Sequence, residues 1–204
     1  MTLEITAQTI KKLRDKTGAG MMNCKKALTE NNGDFEKAVE ALKLKGMATA
    51  DKKASRNAQE GIIYSYIHTG NKLGILLEIN CETDFVARRP EFNDVAKNIA
   101  MQIASNQNIE VVSSANISQE LKDEVWKFES AKEDLQNKPE KIRDKIISGR
   151  VEKTLKTKVL LEQQYIRDPN ITVEDFIKQA IGTLGENIKV RRFARFVLGE
   201  LDDD

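Results

Sequence analysis

Few residues of this chain have the chemistry for catalysis. Its 204 residues include one histidine, His68, and two cysteines, Cys24 and Cys81. A Cys–His pair can supply a nucleophile and its base, but nothing in the sequence places His68 beside either thiol. The cysteines form no CxxC pair, and two scattered thiols with one imidazole fall short of the usual zinc ligand sets. A reducing compartment keeps such thiols free. Both lie on apolar stripes, which predicts small buried hydrophobes. Gly18-Ala19-Gly20 lacks the GxxxxGK[ST] spacing and the preceding strand of a phosphate loop. The stretch from Lys189 to Leu198 carries Arg191, Arg192 and Arg195, which raises RNA binding. Without aromatics on a stacking platform that signal is weak, and charges guarding a sheet edge explain it better. No triad, metal cluster or nucleotide loop emerges. The expectation is a chain without catalytic residues, metal or cofactor.

What remains is a residue placed for contact. Leu73, Ile75, Leu77, Ile79 and Cys81 alternate with Gly74, Glu78 and Asn80, a period of two that predicts a half-buried strand. Glu82-Thr83-Asp84 is turn chemistry, because short oxygen-bearing side chains bond nearby backbone amides. Phe85 and Val86 follow at once, and Pro90 suits the first position of a helix. That helix carries Phe92, Val95, Ala96, Ile99 and Ile103 on one stripe. An aromatic in a polar turn either folds back onto the local core or stands out as a knob for a partner, since loops on rigid elements carry function.

Composition narrows the class. Lys plus Arg is 33 against 32 for Asp plus Glu, so no net basic field favours nucleic acid. No apolar run approaches the ~20 residues that span a bilayer. The start of the chain has neither signal-peptide nor transit-peptide character. The expected setting is a cytosol, or an organelle whose own genome encodes the protein.

Three short amphipathic helices are predicted at 1–48. Thr6 caps the first, with Ile10 and Leu13 inward. Gly18 and Gly20 supply the corner. A second helix runs from Met21 to Glu30, with Cys24 and Leu28 on one stripe. Asp34 caps a third, bearing Phe35, Ala38, Val39 and Leu42, which Gly46 can close. Such a bundle is similar to ubiquitin-associated domains. Met21 and Met22 lie about 100° apart on a helix. Either one is buried and the other is plain surface, or the two make an adaptable contact, because thioethers fit irregular partners.

Residues 49–60 read as a solvated helix or linker, and 61–204 as an α+β core. A strand from Gly61 to His68 and the turn Thr69-Gly70-Asn71 make a hairpin with the strand at Leu73; His68 sits at its tip as a surface residue. Residues 105–117 read as a loop. Ser118 caps a helix with Leu121, Val125 and Phe128 inward and Trp126 offset. Pro139 opens another, with Ile142, Ile146 and Leu155 apolar. Thr172-Val173-Glu174-Asp175 starts a helix bearing Val173, Phe176, Ile177, Ala180, Ile181 and Leu184. The strand at Lys189–Leu198 must rejoin the hairpin. The fold class expected is therefore α+β, a three-helix bundle followed by a small, mainly antiparallel sheet packed with helices.

Asn80-Cys81-Glu82-Thr83-Asp84-Phe85-Val86-Ala87-Arg88 resembles the signature of translation elongation factor Ts. So does Thr17-Gly18-Ala19-Gly20-Met21-Met22-Asn23-Cys24-Lys25-Lys26-Ala27-Leu28. The resemblance extends to the stretch at 138–150 and to Gly185-Glu186-Asn187-Ile188, and so covers essentially the whole chain. It departs at Gln164, where the family usually has proline. The resemblance implies an exchange factor that binds GDP-loaded elongation factor Tu, a GTPase, and releases GDP by disturbing the magnesium and phosphate site. It implies no covalent chemistry, no direct nucleic acid and no membrane. By resemblance, Arg14, Met21 and Met22 dock on a helix of the GTPase domain. Phe85 inserts between helices of that domain, with Asp84, Thr83 and Val86 as its motif neighbours. Longer members carry a second copy of the core half, so a homodimer is expected here, with Lys189–Leu198 as its seam. Some short members have cysteine where Ala194 stands, so that seam would carry no covalent link. The rival reading is a non-catalytic scaffold or chaperone-like module whose bundle binds another partner. The RNA reading ranks third, and it alone would weaken steeply with salt.

Overall fold

A computed structural model of the chain describes residues 5–135 and 139–200. Lys138, which opens the motif at 138–150, lies outside them, as do Met1 and Asp204, the outer ends of the expected domains.

The bundle forms where its caps and stripes predict. Helix α1 (Ala7–Thr17) starts at Thr6, whose hydroxyl accepts from the Thr9 amide at 3.2 Å. Gly18 ends it at φ 67°, donating its N–H to the Arg14 carbonyl at 2.7 Å. A left-handed C-terminal residue of this kind strains any side chain except glycine's hydrogen. Helix α2 (Met21–Glu30) and helix α3 (Phe35–Lys53) follow. The Asp34 side chain caps α3 by accepting from the Lys37 amide at 3.1 Å. Ile10, Leu13, Cys24, Leu28, Val39 and Leu42 are buried together between the three helices. Helix α3 does not stop at Gly46, however. It runs on to Lys53, through the first part of the stretch read as a solvated helix or linker.

Strands β1 (Glu60–Ile67) and β2 (Leu73–Cys81) form the hairpin. Its turn closes through Asn71 N–H to the His68 carbonyl at 3.0 Å and His68 N–H to the Leu73 carbonyl at 2.9 Å. His68 is exposed, 3.0 Å from the Tyr66 hydroxyl. Ile75, Leu77, Ile79 and Cys81 are all buried, so the period-two pattern marks a true buried face. A one-turn helix, α4 (Asp84–Ala87), precedes α5 (Pro90–Ser105), on which Phe92, Val95, Ala96, Ile99 and Ile103 are buried. Residues 105–117 are a loop with one 3-10 turn at Ser114–Asn116.

Helices α6 (Gln119–Ser130) and α7 (Glu140–Lys158) share a small core of Val125, Leu135, Ile147 and Val151. Ser118 caps α6 by accepting from the Leu121 amide at 3.2 Å. The inward stripe differs from the expected one. Phe128 is exposed, with the Lys132 ammonium 5.1 Å from its ring centre, and Trp126 and Ile142 are also exposed. Glu129 is buried instead. It pairs with Lys132 at 2.6 Å and accepts from the Thr154 hydroxyl at 3.2 Å. A buried carboxylate is tolerated when paired and hydrogen-bonded in this way, and the Lys132 bond foremost holds it below the usual carboxylate range.

A short ribbon was not foreseen. Strand β3 (Gln164–Tyr165) pairs antiparallel with β4 (Asp168–Thr172). Gln164 opens it and accepts at its carbonyl from the Gln102 amide at 3.1 Å. Helix α8 (Val173–Leu184) buries Val173, Ile177, Ala180, Ile181 and Leu184, and strand β5 (Lys189–Val197) ends the described fold. The antiparallel sheet runs in the order β1-β2-β5, so the class is α+β as expected. Gly46 now has a different explanation. A Cβ on Gly182 of α8 would sit 2.7 Å from the Gly46 Cα. The missing side chain at Gly182 lets the two helix backbones approach here, while α3 continues through Gly46 to Lys53.

Arg195 also departs from its reading as an edge charge. Its guanidinium donates to the carbonyls of Ile103 and Asn106, each at 2.9 Å, and of Gln107 at 2.6 Å. It thus satisfies carbonyls left open at and just beyond the end of α5.

The chain packs as two compact units. One gathers Met1–Tyr64, Glu78–Lys97 and Asp175–Val190; the other gathers Ser65–Leu77, Asn98–Glu174 and Arg191–Asp204.

Candidate partner-binding site

The turn after β2 is built to hold an aromatic outward. The Thr83 hydroxyl accepts from the Val86 amide at 3.4 Å and so caps the single turn of α4. Successive side chains on a helix step by about 100°. Val86 and Ala87 point inward and are buried. Phe85 therefore points away from them, and 78% of it is exposed. Asp84 is held from within the motif, accepting from the Arg88 guanidinium at 2.7 Å. Of the two readings of Phe85, the structure displays the outward knob.

Beneath the knob lies a clamp between distant segments. The Glu186 carboxylate accepts from the Glu82 amide at 3.1 Å, the Thr83 amide at 3.0 Å and the Thr83 hydroxyl at 2.6 Å. In return, Glu82 accepts from the Asn187 amide at 2.7 Å. The Asn187 side chain, almost fully buried, donates to the carbonyls of Arg56 at 2.7 Å and Ala54 at 3.3 Å. The Arg56 guanidinium approaches Glu82 at 3.5 Å. All of these residues belong to the first unit. Charge-assisted bonds to backbone amides are among the stronger hydrogen bonds, so the turn bearing Phe85 is fixed from below. Cys81 adds a thiol bond to the Thr83 carbonyl at 3.1 Å. Burial first, then the nearby Glu186 charge, pushes that thiol up to about 11. Cys24 is likewise buried and its thiol raised, mainly by burial. Both cysteines are the small buried residues their stripes predicted.

The bundle carries the other expected contacts. Cys24, Ala27 and Leu28 take the buried stripe of α2. Met21 falls at the edge of that stripe and is 42% exposed; Met22 lies opposite and is 78% exposed. Neither is buried, so the reading that put one in the core does not hold. Arg14 is exposed on the last turn of α1. Thr83, Asp84, Phe85 and Val86 thus stand together on one turn, and Arg14, Met21 and Met22 flank the α1–α2 corner. Thr83 and Val86 face the fold, whereas Phe85, Met22 and Arg14 face solvent.

Glu186, Asn187 and Arg56 are given no role by the sequence, and Glu82 reads only as turn chemistry within the Asn80–Arg88 signature. The signal for Glu186 and Asn187 is Gly185-Glu186-Asn187-Ile188, which shares in the resemblance but carries no role. Among the described residues, no three or more His, Cys, Asp or Glu side chains are grouped to hold a metal ion. No helix of the described residues is long and apolar enough to cross a membrane.

Comparison with known proteins finds a family and relatives along nearly the whole chain. A family model described as elongation factor TS matches residues 3–200. A relative from Phaeodactylum tricornutum named elongation factor Ts, chloroplastic, is 72% identical, with 99% of this chain and all of the relative covered. One of the same name from Rhodomonas salina is 60% identical over 98% of this chain and 91% of its own length. Elongation factor Ts of Synechococcus elongatus is 57% identical over 97% of this chain and 89% of its own. With a family model matched over residues 3–200 and a 72% identical relative covered over its whole length, this chain belongs to the elongation factor TS family.

Proposed function

We propose that the chain is the nucleotide exchange factor of translation elongation, acting on elongation factor Tu. The observation that carries this reading is Phe85, an aromatic left 78% exposed on a clamped turn. A residue of that size costs free energy in water and gains it in a partner's pocket. In this reading Phe85 enters the GTPase domain and displaces the elements that order magnesium and phosphate. GDP then leaves because the complex favours the conformation that holds it poorly, and no covalent step is required. Asp84 accompanies Phe85, while Thr83 and Val86 form its base. Arg14, Met21 and Met22 dock separately on the same domain. The relatives' names place them in chloroplasts, and one comes from a cyanobacterium; the working compartment proposed here is a plastid or a bacterial-type cytoplasm.

The test is stopped-flow release of fluorescent GDP from elongation factor Tu. The chain should accelerate release, and the observed rate should saturate with its concentration. Met21→Asp with Met22→Asp should raise the half-saturating concentration about tenfold, since buried charge replaces two adaptable apolar contacts. An unchanged half-saturation would remove the bundle from the docking surface.

The second copy of the core half in longer family members motivates a homodimer. Apolar side chains stand exposed in the second unit at Ile67 and Leu76 and, within the expected seam, at Phe196 and Leu198. A two-fold interface built on them would bury one patch against itself. Sedimentation equilibrium at tens of micromolar, well above a Kd of ~1 μM, should give the dimer mass. A pure monomer there would overturn this part of the reading.

A further inference from the structure

We infer that Glu186 is a positioning residue for exchange, acting on the partner only through the turn that bears Phe85. The inference rests on the exchange-factor reading above. Phe85 is 78% exposed, so little packing of its own fixes its direction. Its direction comes from α4, which is one turn long and too short to persist alone. The cap of α4 is the Thr83 hydroxyl, and Glu186 holds that hydroxyl at 2.6 Å while also accepting from the amides of Glu82 and Thr83. A carboxylate suits this place because both of its oxygens accept, one from the two amides and the other from the Thr83 hydroxyl, whose own oxygen is taken by the Val86 amide. Glutamine has one accepting oxygen for these three donors, so it loses either the two amide bonds or the bond that the Thr83 hydroxyl donates, and the turn would lose its direction without losing the buried Val86 and Ala87 beneath it. Asn187 extends the link, because its side chain holds the carbonyls of Ala54 and Arg56 at the end of the bundle's last helix. Glu186 and Asn187 thus tie the knob to the module that carries Arg14, Met21 and Met22.

Two stages of exchange should separate accordingly. Encounter with the GDP-loaded partner uses Arg14, Met21 and Met22 at the α1–α2 corner, whereas the Glu186 carboxylate bonds the turn at Glu82 and Thr83. Displacement of the nucleotide uses the aimed knob. GDP release is measured against concentration for wild type, Glu186→Gln, Thr83→Val and Phe85→Ala, with circular dichroism and thermal melting on each. Glu186→Gln should lower the plateau rate about tenfold, the equivalent of one charge-assisted hydrogen bond. The half-saturating concentration should stay within about threefold, because a tenfold change there is what a lost docking contact costs. Thr83→Val, which removes the cap while keeping the shape, should reproduce that split. A folded Glu186→Gln and a folded Thr83→Val with wild-type plateaus, beside a defective Phe85→Ala, would overturn the positioning role and leave the exchange reading standing. Loss of half-saturation without loss of plateau would equally overturn it, because Glu186 would then act on docking. A wild-type Phe85→Ala would overturn both.

Discussion

Phe85→Ala is expected to weaken binding to nucleotide-free elongation factor Tu by roughly tenfold to a hundredfold, with GDP release slowed in parallel. Burying an aromatic of this size contributes ~1.5–3 kcal/mol, and truncating an anchor in a desolvated pocket costs about 2 kcal/mol or more. At about 1.4 kcal/mol per decade those values give the stated range. The effect belongs to the complex, because in the free chain Phe85 is 78% exposed and its removal leaves no cavity. Circular dichroism should therefore match wild type. Binding linkage is reciprocal, so the variant should also reduce the antagonism between GDP and this chain on the GTPase. Stopped-flow release and a titration of the nucleotide-free complex measure both. A folded variant that releases GDP at the wild-type rate would end the knob mechanism, though not the family assignment.

The second large effect is on stability. Gly61→Ala should destabilise the fold by about 2–6 kcal/mol, adding ~1–3 for the forced backbone to ~1–3 for overpacking. Gly61 lies in β1 at φ 149°. A Cβ there would overlap the Ile79 carbonyl oxygen and lie 2.7 Å from the Asn80 Cα. The obstruction is backbone, so no rotamer change relieves it. The neighbouring pairing, in which the Asn80 side chain donates to the Glu60 carbonyl at 3.2 Å, would open as well. Against a typical domain stability of ~5–15 kcal/mol, such a loss is visible in urea or thermal melts. An unchanged midpoint would mean that β1 and β2 separate freely at this point.

The residues of greatest interest differed in how far the sequence disclosed them. Phe85 was legible because its cause is local: a period-two strand, a three-residue polar turn and a proline frame it within a dozen positions. The buried faces of β2, α5 and α8 were legible for the same reason, since periodicity records which side meets the core. Glu186 was not, because the groups it holds lie 103 and 104 residues away, and no local pattern records a partner at that range. Glu129 illustrates the same limit. Apolar spacing on α6 favours Phe128 for the core, and only Thr154, 25 residues on, together with Lys132, makes a buried carboxylate acceptable. Arg195 reads as one of three similar charges until the end of α5 is found beside it. Gly46 reads as a stop until Gly182 arrives from 136 positions further along the chain.

That last crossing sets unequal rules for sequence drift. A Cβ on Gly46 would meet the Gly182 Cα at 3.9 Å, an ordinary contact, whereas a Cβ on Gly182 would drive to 2.7 Å from Gly46. Alanine can therefore enter α3 at position 46, and there it would gain the ~1 kcal/mol by which it exceeds glycine inside a helix. Nothing comparable can enter at 182, and no compensating change exists, because its neighbour has no atom left to give up. Of two glycines that look alike on the page, one is a free choice and the other is a veto. A library randomised at both sites would come back mixed at the first and uniform at the second.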